Sequence, residues 1–224
     1  MNRDKNRVNI ILTKIVFVSL IISLIYGIVG IIILAILKTT NIVYHRPKGD
    51  YIKITLQCIL GISVLYLPEI LEKRLKISVT NVMHILFVSF LYAAIFLGEV
   101  QGFYKKFFHW DTLLHTLSGV MLSTFGFSLI DIANNSKRIN IDLKPWFIAL
   151  FSFCFAVTLD TIWEIFEFTM DRCMDLNMQQ YIAPDGTVLV GSDALVDTMK
   201  DLIVDILGAL SISIIGYFSI RNKK

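Results

Sequence analysis

The chain has 224 residues, of which 55% are hydrophobic and 17% are charged; its mean hydropathy is +0.68 and its formal net charge is +3. Because soluble domains carry roughly 25% charged residues, this composition excludes an ordinary soluble protein, and the 12% aromatic content excludes a disordered chain. The small net charge does not indicate nucleic-acid binding. Three widely spaced cysteines predict neither a disulfide framework nor a zinc ribbon.

Six apolar stretches follow one another along the chain, at 15–37, 52–71, 78–98, 112–130, 145–168 and 197–220. A membrane-spanning helix needs about 20 such residues. The sequence therefore predicts an all-α polytopic membrane protein in which residues 1–224 form a single bundle of six transmembrane helices. The first stretch exceeds the roughly 7–15 apolar residues of a signal peptide, so we expect it to be retained as an anchor. Pro68 is expected to end the second stretch.

Lysine and arginine residues are unevenly distributed between the two sides of the predicted bundle. Four lie at the amino end, and three lie in each of the second loop, the fourth loop and the carboxyl tail, whereas seven lie on the opposite side. Short cytoplasmic loops carry an excess of these residues. We therefore expect both termini to face the cytoplasm.

Half of the 18 acidic residues lie in or at the ends of the last four stretches. They are Glu99, Asp111, Asp160, Glu164, Glu167, Asp171, Asp197, Asp201 and Asp205. In a bundle of alternating direction these ends all emerge on one side, which the basic residues predict to be extracytoplasmic. The loop from Asp171 to Val196, with a turn expected at Pro184-Asp185-Gly186, should lie over them.

Helical spacing places these acids in stripes. At about 100° per residue, the four acids from Asp160 to Asp171 share one helical face, as do the three from Asp197 to Asp205. Asp111 and His115 lie one turn apart on the fourth stretch. At about 1.5 Å per residue, the first two stripes extend about 16 Å and 12 Å. They should therefore reach below the membrane interface.

A charged aspartate near the bilayer centre costs about 2.5–3.5 kcal/mol on insertion scales. Nearby basic side chains are too few to neutralise nine carboxylates, so either a divalent cation or protonation must offset the cost. Carboxylates with an imidazole and no thiolate are typical ligands of Mg, Mn or Ca, and also suit Zn. The predicted ligands are Asp111, His115, Glu164, Asp197 and Asp201.

Several acids have alternative predicted roles. Glu167 or Asp205 is the candidate general base, but Asp160 and Asp205 also suit protonated structural acids that donate hydrogen bonds across helices. Asp171 is either a supporting residue or a rim acid paired with Arg172 or Lys200. Glu99 either orients a liganding histidine or is a simple interfacial acid. His45 and His84 lie away from the acids, so we expect structural roles for them.

Four motifs resemble the YjdF family of bacterial inner-membrane proteins. They are Phe-His-Trp-Asp-Thr-Leu-Leu-His at 108–115, Trp-Glu-Ile-Phe-Glu-Phe at 163–168, Asn-Met-Gln at 177–179, and Asp-Thr-Met-Lys-Asp-Leu-Ile-Val-Asp-Ile-Leu-Gly-Ala at 197–209, with Gly98-Glu99 and Phe103-Tyr104 before them. The resemblance implies a bacterial plasma membrane and adds Asn177 and Gln179 as supporting site residues. The order of acids and histidine is also similar to VanZ-like proteins, although Asp205 stands where that pattern has an asparagine.

The leading hypothesis is a metal-dependent hydrolase or transferase that acts on a membrane lipid or on a lipid-linked, amphipathic substrate. Because the acids converge on one membrane face, they indicate a closed binding pocket more than a pathway across the membrane. A cation or proton-coupled transporter is the first alternative, because intramembrane acids also line ion routes. The second alternative is a non-catalytic resistance or immunity-type membrane protein that would bind its ligand in the same pocket.

Overall fold

The computed structural model describes residues 2–36, 46–75, 79–135, 143–183 and 186–222. Its helices are α1 (Asn2–Ile36), α2 (Lys48–Leu65), α3 (Leu67–Leu75), α4 (Asn81–Leu91), α5 (Phe103–Lys106), α6 (Trp110–Asn135), α7 (Pro145–Met174) and α8 (Val196–Arg221). A π-helical segment, Tyr92–Val100, continues α4, and a 3-10 turn, Asp193–Leu195, precedes α8. Within these ranges the β pairing is a single bridge between Ile182 and Val188. The all-α prediction is confirmed.

Six helical spans in the described part of the chain are long and apolar enough to cross a membrane. Their bounds are Arg7–Ile36, Lys48–Arg74, Asn81–Val100, Trp110–Asp131, Pro145–Met174 and Asp193–Arg221. The predicted six-span membrane protein is thus confirmed. The end of the first stretch at 37, the start of the third at 78, His45, and two residues of the expected turn, Pro184 and Asp185, lie outside the described residues. So do the basic residues at 38, 76, 137–138 and 223–224 that entered the orientation prediction.

Pro68 divides the second span instead of ending it, so that prediction is wrong. Helix α2 ends at Leu65, Tyr66 forms a turn, and α3 begins at Leu67 and continues to Leu75. Pro68 is the second residue of α3, where a missing N–H costs little because the first N–H groups of a helix have no partner within it. After the turn, the short helix α3 continues the second span.

Local signals explain where two of the long helices begin. Thr80 precedes α4 in an extended conformation, and its hydroxyl oxygen accepts a hydrogen bond from the amide of Met83 at 3.2 Å. Pro145 is the first residue of α7, the position where a proline's fixed φ favours the helix.

The helices pack as two groups. Helices α1, α2 and α4 and the π-helical segment surround an apolar core, whereas α6, α7 and α8 pack against one another. Helix α4 and the π-helical segment also contact α6 and so join the groups. His84 is buried and lies 3.0 Å from the hydroxyl of Thr13, which links α4 to α1.

Glycines allow α6 and α8 to approach closely. A Cβ atom at Gly119 of α6 would clash with the carbonyl oxygen of Asp205, and one at Gly208 of α8 would lie 2.5 Å from the carbonyl oxygen of Thr116. Ser123 and Ser213, whose hydroxyl oxygens lie 3.1 Å apart, join the same helices further along. Small residues at such contacts are typical of membrane helix pairs. The close approach sets the distance between the polar side chains of the two helices.

We expect Gly119→Ala to lower the free energy of unfolding by about 1–3 kcal/mol, because the added methyl group overpacks the α6–α8 contact. Thermal unfolding in dodecyl maltoside micelles, followed by circular dichroism, measures the change. Gly49→Ala is the matched control, since the nearest atom to a Cβ there is 3.7 Å away. Equal midpoints for the two variants would contradict the role of Gly119.

Candidate functional site

Asp111 and His115 of α6 and Asp201 of α8 form a compact cluster. Each offers one possible ligand atom, and the three atoms lie within 4.8 Å of one another. Asp201 is only 2% exposed, and the other two side chains are partly buried. Two carboxylates and one imidazole at this spacing suit a single divalent cation.

The ring of His115 is held by a carboxylate on one side. Its Nδ1 atom lies 3.0 Å from Oδ2 of Asp205, and its Nε2 atom lies 3.8 Å from Oδ1 of Asp111 and 3.9 Å from Oε1 of Glu164. We assign the proton to Nδ1, which then donates to Asp205. Nε2 keeps its lone pair and is free to ligate a metal, an arrangement that recurs at metal sites.

Several buried carboxylate oxygens around His115 have no hydrogen-bond partner. They are both oxygens of Glu164 and Oδ1 of Asp201 and of Asp205. Glu164 is 4% exposed and Asp205 is 1% exposed. A buried polar group without a partner costs about 1–3 kcal/mol, and more when it is charged. The cluster therefore lacks positive charge or proton donors, which a cation would supply.

Asp197 lies at the edge of the cluster and is joined to it by Gln180 of the covering loop. Nε2 of Gln180 donates to Oδ2 of Asp111 at 2.9 Å and to Oδ1 of Asp197 at 3.0 Å. Gln180 adopts a left-handed backbone with φ of 50°. This residue bridges α6 and α8 above the site.

The covering loop is shaped by Asp171, Asn177 and Gln179. Asp171 accepts hydrogen bonds from the backbone amides of Met178 and Gln179, at 2.7 and 2.9 Å. Asp171 therefore fixes the loop. Among the ion pairs of the described residues, none joins Asp171 to Arg172 or Lys200. Asn177 bonds both backbone polar groups of Ile182 at 2.8 Å, and the Gln179 amide donates to Thr198 at 2.7 Å.

Asp160 and Glu99 are not among the three clustered ligand residues, although both line the cavity beside them. Asp160 accepts a 2.6 Å hydrogen bond from Ser118, which joins α7 to α6, while its second oxygen has no partner. Glu99 lies 3.1 Å from Nζ of Lys53 and accepts a 3.4 Å hydrogen bond from Gln57. Its side-chain polar contacts are thus with α2 and not with His115.

A cavity of about 410 Å³ adjoins the cluster and extends between the two helix groups. Asp111, His115, Asp160 and Glu167 line it on one side, and side chains of α2 and the π-helical segment line it on the other. Tyr104, which also lines it, follows the π-helical segment. Burial, together with the nearby carboxylate of Asp111, holds the pKa of the Tyr104 hydroxyl well above its usual value. This hydroxyl stays protonated and can donate.

Comparison with known proteins identifies the family. The family described as "Predicted membrane protein (DUF2238)" matches residues 25–222, which include the last part of the first span and all of the other five. The chain belongs to this family. The match covers every residue of the candidate site. No support for the VanZ-like resemblance comes from these comparisons.

A protein of Thermotoga maritima, described as "Uncharacterized protein", is 28% identical to this chain over 123 residues. The matched region is 54% of this chain and spans 60% of that relative's length. No solved structure gives a significant match.

Sequence reasoning did not identify Gln180, Tyr104 and Gln57 as parts of the site or its cavity. Gln180 has no helical phase that could place it, because it lies in the loop. Gln57 lies on α2, whose apolar stretch has no acidic stripe. The pairing of Lys53 with Glu99 is likewise a tertiary contact that spacing cannot predict.

We expect Asp171→Asn to loosen the covering loop, because an amide offers one acceptor oxygen where the carboxylate offers two. Hydrogen exchange measured by mass spectrometry should be faster for residues 175–183, and the local opening free energy should fall by about 1–3 kcal/mol. Asp175→Asn is the control: Asp175 is exposed and left-handed with φ of 52°, which asparagine tolerates. If both variants exchange like the wild type, Asp171 does not hold the loop.

Proposed function

We propose that Asp111, His115 and Asp201 bind one divalent cation, and that the protein is a membrane-embedded, metal-dependent hydrolase or transferase acting on a lipid or lipid-linked substrate. The observation that supports the proposal is the arrangement around His115. One ring nitrogen is held by Asp205, and the other faces carboxylates from α6 and α7. The cluster also adjoins a cavity of a size typical of small-molecule sites, about 300–1,000 Å³.

The residues around the three ligands have different proposed roles. Glu164 and Asp197 are further predicted ligands, and the two unpartnered oxygens of Glu164 support its inclusion. When bound, the metal would polarise a phosphoryl or carbonyl oxygen of the substrate and lower the pKa of a water molecule. Glu167 lines the cavity and is the proposed general base. Asp205 is better placed to position His115 than to act as the base predicted from the sequence.

The metal is proposed to be Mg, Mn, Ca or Zn, since the ligand set contains oxygens and one imidazole and has no thiolate. We place the protein in a bacterial plasma membrane, as the YjdF-like motifs imply, with both termini in the cytoplasm. The excess of basic residues on the terminal side supports this orientation. The site would then open to the extracytoplasmic face.

The metal part of the proposal is tested by elemental analysis of purified protein after dialysis against Mn. We expect one ion per chain in the wild type and loss of the ion in Asp201→Asn. Asp205→Asn should weaken binding by about 10–100-fold, as loss of a residue that orients a liganding histidine does.

Asp193→Asn is the matched control for these variants, because Asp193 lies in the exposed 3-10 turn near the site but outside the cluster. Its ion content should equal that of the wild type. Wild-type protein without metal, or Asp201→Asn protein with a full complement, would overturn the metal site.

The catalytic part is tested by reconstituting the protein in a bacterial lipid extract with Mn and following lipid conversion by mass spectrometry. We expect conversion by the wild type, and a loss of about 10²–10⁴-fold in Glu167→Gln, the range for a general base. Glu69→Gln serves as control, since Glu69 pairs with Lys73 on α3, away from the cavity. Metal-loaded protein that converts no lipid would contradict the enzyme assignment.

A further inference from the structure

The cavity beside the cluster has a polar compartment and an apolar compartment. Its polar compartment includes Asp160, Glu167 and Tyr104. Its remaining walls are mainly apolar and include Leu60, Phe87, Phe90, Met121 and Leu122. A ligand that fills both compartments must itself be amphipathic, with an alkyl chain attached to a polar head.

The α7 side of the polar compartment carries acidic side chains. Lys53 is the one lysine or arginine among the described residues that line the cavity, and Glu99 pairs with it at 3.1 Å. This pairing cancels charge on the α2 side. Asp160 and Glu167, one on each side of Trp163 along α7, have no basic partner among the described ion pairs. An anionic head would be repelled here, whereas a cationic head would be attracted.

Asp160 gives a second indication of a missing donor. The residue is 4% exposed, and one of its oxygens accepts from Ser118 while the other is buried without a partner. Trp163 also lines the cavity between the two acids. Carboxylates combined with the face of a tryptophan are a favourable environment for an ammonium group, which donates hydrogen bonds to the acids and makes cation–π contact with the ring.

We infer that this cavity binds an amphiphile with a protonated amine head and an alkyl chain. The ammonium lies at Asp160, Trp163 and Glu167, and the chain occupies the apolar compartment between α2 and α6. This inference goes beyond the proposed function: an ammonium group paired with Glu167 would occupy the proposed general base, so the amphiphile is a ligand of the cavity that competes with the substrate. The binding itself requires only the cavity, so it can be measured in the absence of metal.

The test uses the full chain in dodecyl maltoside micelles with a chelator and compares dodecylamine, dodecanoate and dodecanol. These probes share chain length and differ in head charge. A ligand that binds the folded protein raises the midpoint of thermal unfolding. We expect a saturable rise with dodecylamine and none with the other two.

Glu167→Gln should weaken dodecylamine binding by about tenfold or more, because a hydrogen bond to a charged group is lost. Asp160→Asn should act in the same direction and serves if Glu167→Gln does not fold. Glu69→Gln, on α3, should bind as the wild type does.

Equal stabilisation by dodecanoate or dodecanol, or unchanged binding in both Glu167→Gln and Asp160→Asn, would overturn the inference. The chelator separates this outcome from the metal experiment. Amine binding without any metal binding would contradict the proposed function alone. Metal binding without head-group selectivity would contradict only the inferred amine site.

Discussion

The burial of carboxylates within membrane-spanning helices is the constraint on which this structure depends. Asp201 and Asp205 of α8 and Glu164 of α7 are almost fully buried, where each uncompensated charge is costly. Internal hydrogen-bond donors offset part of this cost. Ser118 donates to Asp160 and His115 donates to Asp205. Gln180 donates to Asp111 and Asp197. Four of the five carboxylate oxygens left without a partner lie around His115, and the fifth is Oδ2 of Asp160. Those four oxygens are the physical basis of the proposed cation site.

The two helix groups have different tasks. The contact of α6 with α8 must be close and rigid, because His115 and Asp205 lie on different helices and hold a 3.0 Å contact. Glycines and paired serines supply that closeness. The α1–α2–α4 group instead packs around aliphatic side chains and forms the opposite wall of the cavity. A rigid site and a separate apolar wall together give a space that is polar at one end and lipid-like at the other.

Helix number, approximate bounds and the convergence of acids were predictable, because apolar length and helical phase are local properties of the sequence. The phase of Asp160, Glu164 and Glu167 also predicted a shared face. Pro68 was misinterpreted, since its missing N–H can be placed at the start of a new helix as well as after the end of an old one. The contacts of Glu99 and Asp171 depended on neighbours that are distant in sequence, or on backbone amides, and neither has a periodic signal.

Asp111 illustrates how narrowly one position can be specified. Its outer oxygen, Oδ2, accepts from Gln180 of the loop, and its inner oxygen, Oδ1, faces Nε2 of His115. An asparagine could still accept from Gln180, but its NH2 group would take the place of Oδ1 and could not ligate the proposed cation, and a glutamate would carry its oxygens one methylene too far along the helix face. Aspartate is thus the side chain whose length and two equivalent oxygens allow it to accept from the covering loop and to ligate the proposed cation together with His115.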